Sequence, residues 1–195
     1  SPNGQLGLGH TTNVSTPTKL NLSNVKAIYS PFSSTAYFSV TNDNKLYGWG
    51  AKKYLGINQT SGVSLTPVNI TFIDNTGQVD NSGVKYFYCS EGRETFPRDY
   101  INCFVVTNNN KLYSTGYNSN GSLGLNNYNH YYVFTEVLFR HVDKIKDIKI
   151  SFNSIAFTTY ILLTDGRIYS CGYNGSQQLH PSKDVASLTT FQLVK

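Results

Sequence analysis

The sequence predicts an all-β protein organised as a β-propeller, and three features carry that prediction. One phrase of thirteen residues is written twice, FSVTNDNKLYGWG from Phe38 to Gly50 and FVVTNNNKLYSTG from Phe104 to Gly116, with a third version, ILLTDGRIYSCG, from Ile161 to Gly172. The closing glycines stand 66 and 56 residues apart, a period that fits propeller blades better than helical solenoids. No segment carries the apolar spacing of a long amphipathic helix, and each repeat holds short runs of strand character instead.

The elements follow in order. Each repeated phrase is a β-hairpin: in the first, the run Tyr37–Val40 meets the turn cluster Asn42-Asp43-Asn44 and resumes at Leu46-Tyr47 before a glycine. In the third, Asp165-Gly166 supplies the residue pair of a tight two-residue turn. Ahead of each hairpin lies one more strand, NVKAIYS from Asn24, GVKYFYCS from Gly83 and DIKISFN from Asp147. After each glycine-rich corner comes another: TPTKLNL from Thr16, TPVNITF from Thr66, FTEVLF from Phe134 and TTFQLVK from Thr189. Four strands per repeat make a blade, and blades bury their faces only against one another.

The hairpin ending LYGWG at Gly50 and the corner phrases GQLGLG (Gly4–Gly9), YLGIN (from Tyr54) and GSLGLN (from Gly121), followed by strands containing Pro17 and Pro67, resemble the repeat of the regulator of chromosome condensation family. The resemblance covers essentially the whole chain and implies a propeller that usually closes with seven blades. About three and a half blades are present, over repeats 1–50, 51–116 and 117–172 and a further start at 173–195. An incomplete ring is therefore expected, either as a segment of a longer propeller or as copies that associate. Where family repeats place a Gly-x-x-His-Thr phrase, this chain has PFSSTAYF, SEGRETFPRDYINCF and SFNSIAFTTYILL. The loss of those histidines argues against the exchange activity that the resemblance implies.

Composition narrows the function. The formal charge is +5 and the pI about 9.0, but the twelve Lys and four Arg are scattered and KIKDIK (Lys144–Lys149) is broken by Asp147, so nucleic acid is not the expected partner. No run reaches the roughly 18 apolar residues of a membrane helix. Cys89, Cys103 and Cys171 show no CxxC pairing and read as packing residues, with a Cys89–Cys103 bond across one hairpin the minor alternative. Six N-x-S/T sequons, at Asn13, Asn21, Asn58, Asn69, Asn120 and Asn174, are close to the roughly four that 21 asparagines produce by chance.

No catalytic residue, metal ligand or cofactor loop emerges. GQLGLG runs into polar HTTNVSTPT rather than a phosphate-holding helix, and His10, His130, His141 and His180 sit in unrelated contexts. The second repeat carries two departures, DNTGQVDNSG from Asp74 and EGRETFPRDY from Glu91, both expected to project from the rim. In the latter, Arg93, Glu94, Arg98 and Asp99 surround Phe96, a composition suited to a protein interface. The expected function is thus a non-enzymatic protein-interaction scaffold. The alternatives are an exchange factor for a Ran-like small GTPase and a secreted propeller acting as inhibitor or adhesion module.

Overall fold

A computed structural model describes residues 3–31, 35–90, 100–153, 156–179 and 185–194. Strands β1 (Val25–Tyr29), β2 (Ala36–Thr41), β3 (Leu46–Ala51) and β4 (Val63–Ile70) form the first blade, in that order. A short hairpin, β5 (Phe72–Ile73) and β6 (Val79–Asp80), precedes β7 (Val84–Cys89), β8 (Cys103–Thr107), β9 (Leu112–Gly116) and β10 (Tyr131–Val137), the second blade. The third comprises β11 (Ile145–Asn153), β12 (Ala156–Leu163), β13 (Ile168–Tyr173) and β14 (Ser187–Leu193). Every pair within these four-stranded units is antiparallel. The three sheets do not close into a ring.

One local mechanism makes all three hairpins. The N–H groups of Asn44, Asn110 and Gly166 donate to the carbonyls of Thr41, Thr107 and Leu163, and each of the three donors has positive φ. Asn and Gly tolerate that conformation, so the turn is encoded where it forms. At Asp165-Gly166 the sequence predicted a two-residue turn; the left-handed residue instead ends a longer turn closed by Leu163 N–H to Arg167 C=O at 2.9 Å. Pro67 is accommodated because β4 is the outer edge of its sheet.

Two expectations need correction. The stretch Thr16–Leu22 is not a strand, because the sheet it would join has no other strand among the described residues to supply ladder partners. DNTGQVDNSG does not project freely from the rim: it forms β5 and β6, and β5 runs parallel to β10. Asp74 anchors it, accepting from the backbone N–H groups of Thr76 and Gln78 and from Lys111 Nζ at 2.6 Å. The Lys111 contact is the chief reason its carboxyl sits well below the usual range.

Blades pack face to face. Phe38, Val40 and Leu46 of the first meet Phe87, Cys103, Val105 and Tyr113 of the second. Phe104, Val106 and Leu112, on the second blade's other face, meet Ile148, Ile161, Leu163 and Tyr169 of the third. The strand registers make Tyr160, Leu162 and Ile168 the third-blade equivalents of Phe104, Val106 and Leu112. Leu112 is fully buried but Ile168 is 41% exposed, so among the described residues no neighbouring sheet covers this blade face as its counterparts are covered.

The glycine corners fasten blade to blade. Asn58 N–H, at the end of the first blade's corner, donates to Tyr132 C=O of the second; Asn126 N–H donates likewise to Thr189 C=O of the third. At the N-terminal end Gly9 N–H donates to Leu65 C=O of the first blade. The slot holding Trp49, Thr115 and Cys171 faces these corners: Trp49 Nε1 donates to Gln5 C=O at 3.0 Å and Cys171 Sγ to Ser122 C=O at 3.3 Å.

Candidate functional site

The β1–β2 and β3–β4 connections of the first blade, and the equivalent β7–β8, β9–β10, β11–β12 and β13–β14 connections of the others, join the strands at the same end of each sheet. There β9 ends at Gly116, which has φ +126° and crosses the Ile101 carbonyl so closely that a Cβ would overlap it. Gly50 and Gly172 make the same crossing over Thr35 and Phe157, and this explains why each repeated phrase closes on glycine.

Just beyond Gly116 the fully buried Asn102 side chain clamps the turn. Its Oδ1 accepts from Tyr117 N–H at 2.7 Å, and its Nδ2 donates to Tyr117 C=O at 2.9 Å and to Ser122 Oγ at 3.1 Å. The clamp sets the Tyr117 ring between two others: Tyr100 at 4.1 Å and His130 at 4.3 Å between centroids, the latter stacked with an interplanar angle of 21°. Tyr54, Lys53 and Tyr132 complete a cleft of about 80 Å³ with this three-ring stack. Its lining is predominantly apolar, with the Lys53 ammonium 4.5 Å from the Tyr54 ring.

His130 Nδ1 accepts the Asn118 N–H at 3.0 Å, which places the proton of the neutral ring on Nε2. Burial lowers its pKa below the ordinary 6.5. The unfolded chain therefore takes up this proton first as pH falls, and stability declines from about pH 6.5 downward. Melting temperatures measured between pH 8 and 5 are expected to fall less steeply for His130→Gln than for the wild type; superimposable profiles would contradict the assignment.

The sequence reads His130, in NNYNHYY, most plainly as an exposed turn residue; it is exposed in the structure, yet one ring face stacks on Tyr117, and neither Asn102 nor the tyrosines stood out in the sequence. Arg93, Glu94, Phe96, Arg98 and Asp99 lie outside the described residues. Their segment joins Ser90 to Tyr100, so its C-terminal attachment is a cleft residue. Among the described residues the other histidines do not assemble with His130: His10 is exposed and His141 accepts from Arg140 Nε on the opposite face, while His180 lies outside the described residues. No cluster of three His, Cys, Asp or Glu suited to a metal occurs among the described residues.

No family model matches the chain. Among solved structures, human WBSCR16 superposes with a TM-score of 0.64 at 20% identity, over 100% of this chain and 46% of that one. Yeast RCC1 (Prp20) with Kap60 bound gives 0.68 at 17% identity, over 99% and 43%. Prp20p from Saccharomyces cerevisiae, described with its binding properties to Gsp1p and histones, gives 0.63 at 17%, over 90% and 39%. The fold is that of an RCC1-type propeller. The chain spans less than half the length of each of these three proteins, and its RCC1-type blades form an open arc.

Proposed function

We propose that this RCC1-type arc is a non-enzymatic protein-interaction scaffold that docks a partner at the Tyr100–Tyr117–His130 stack. The observation that carries the reading is the Asn102 clamp: a fully buried amide, with three hydrogen bonds of its own, fixes aromatic rings at the mouth of a surface cleft. Rigid aromatics that lose little conformational freedom on binding are the side chains that anchor protein interfaces. Arg93, Glu94, Phe96, Arg98 and Asp99, in the sequence segment leading into Tyr100, are included in the proposed docking site on their composition, four charges around an aromatic. Kap60 and Gsp1p, named with the RCC1 (Prp20) structures, are protein partners.

Quantitative pull-down is expected to lose partner recovery by tenfold or more in Tyr100→Ala/Tyr117→Ala, and in a separate Arg93/Phe96/Arg98 triple alanine variant. Unchanged recovery in the double variant would remove the cleft from the account. A nucleotide-release assay with a Ran-like GTPase separates scaffold from exchange factor: no acceleration is expected, and clear acceleration would replace the scaffold reading. The uncovered face at Tyr160, Leu162 and Ile168 is a second proposed surface, for a further blade of the same kind, since the equivalent positions of the first two blades are each sealed by a blade.

A further inference from the structure

We propose that Cys89 and Cys103 are a dithiol that oxidises to a cross-strand disulfide, stapling the second blade at the root of the connection that carries Tyr100. The two residues are direct partners in the β7–β8 ladder. The adjoining pair is hydrogen-bonded, Ser90 N–H donating to Asn102 C=O at 2.9 Å. Antiparallel alternation therefore makes Cys89/Cys103 a non-hydrogen-bonded pair, whose Cα atoms stand about 4.5 Å apart with side chains on one face. That separation lies within the range disulfides span, roughly 4.4–6.8 Å. Both side chains pack into the same core between the first and second blades, and both are reduced in this structure.

The pair is peculiar to the second blade. Its equivalents are Ser30 and Tyr37 in the first and Ile150 and Thr159 in the third, by the same registers. It also flanks the longest β1–β2 type connection, Ser90–Asn102, against Ser30–Thr35 in the first blade and residues 154–155 in the third.

The chemistry balances with a small disulfide as oxidant. The half-buried Cys89, as thiolate, attacks glutathione disulfide and forms a mixed disulfide, releasing one glutathione. Cys103, as thiolate, then attacks the Cys89 sulfur and expels the second glutathione. Two protein thiols are oxidised, the oxidant takes the two electrons, and two protons leave the protein. Burial raises the Cys103 thiol well above its ordinary pKa, so the second step is the slow one and accelerates as pH rises. This inference is independent of the proposed docking function.

The test is to incubate the folded chain with glutathione disulfide and map peptides without reduction. A single intramolecular link between the peptides holding Cys89 and Cys103 is expected. It should raise the melting temperature by roughly 5–10 °C, as closing a loop of this length predicts. Cys171→Ser should retain the link and the shift, whereas Cys89→Ser, altering a half-buried position, should fold and lose both. Persistent free thiols, a glutathione adduct that stalls on Cys89, or a link between two molecules would each overturn the proposal.

Discussion

Leu112→Lys is expected to prevent stable folding, while Ile168→Lys, at the same position of the next repeat, leaves the chain folded with stability changed by no more than about 0.5 kcal/mol. Leu112 is 0% exposed between the second and third blades. An ammonium there has no partner in an apolar core, at a cost of about 4–5 kcal/mol or more, comparable with the whole stability of a small domain. Ile168 faces no blade among the described residues and is 41% exposed, so its replacement reaches water. Circular dichroism melts of the two variants decide this; equal destabilisation would mean that the third blade's outer face is covered. Sedimentation adds the identity of the cover. A wild-type monomer unaffected by Ile168→Lys fits a face reserved for another blade, and a dimer that Ile168→Lys dissolves assigns the face to a second copy.

Gly116→Ala is expected to cost about 3–5 kcal/mol, with most of the loss coming from sterics rather than from the unfolded chain. At φ +126° a side chain is already strained by about 1–3 kcal/mol. The added methyl also overlaps backbone, the Ile101 carbonyl, and the Asn102 amide oxygen that holds Tyr117 N–H. Relief requires β9 to move away from the start of β8, which opens the Asn102 clamp. Denaturant unfolding should show the lower midpoint, and fluorescence or NMR of the cleft tyrosines should change with it. By contrast Gly77→Ala, at a turn where an added Cβ meets nothing within 4 Å, bears only the strain of its positive φ. Equal costs at Gly116 and Gly77 would contradict the crossing as the reason for the glycine.

Hairpins were legible in the sequence because their chemistry is local: Asn44, Asn110 and Gly166 occupy the left-handed position of turns whose flanking residues alternate. The blade class was legible for the same reason, through repetition. Thr16–Leu22 was misread because a strand depends on a ladder partner that no local pattern reports. The closing glycines were recognised, but the cause, a carbonyl of the neighbouring strand, is a tertiary contact. The candidate site was the least legible part. Asn102 sits where the other repeats have Ala36 and Thr158, so repetition conceals the clamp rather than displaying it. Tyr100 comes from the β7–β8 connection, whereas Tyr117 and His130 stand at opposite ends of the β9–β10 connection, with no common period. The signal available was the density of aromatics in NNYNHYY and around Tyr100 and Tyr117.

Photo-crosslinking tests the central claim, that the cleft face is where a partner docks, most directly. A benzophenone side chain placed at Tyr132, in the cleft, is compared with one at Leu138, which is 87% exposed beyond the far end of β10. A discrete crosslinked protein from the Tyr132 position that disappears on Tyr117→Ala, with none from Leu138, is the predicted result. Crosslinking from Leu138 alone, or a Tyr132 product indifferent to Tyr117→Ala, would contradict it.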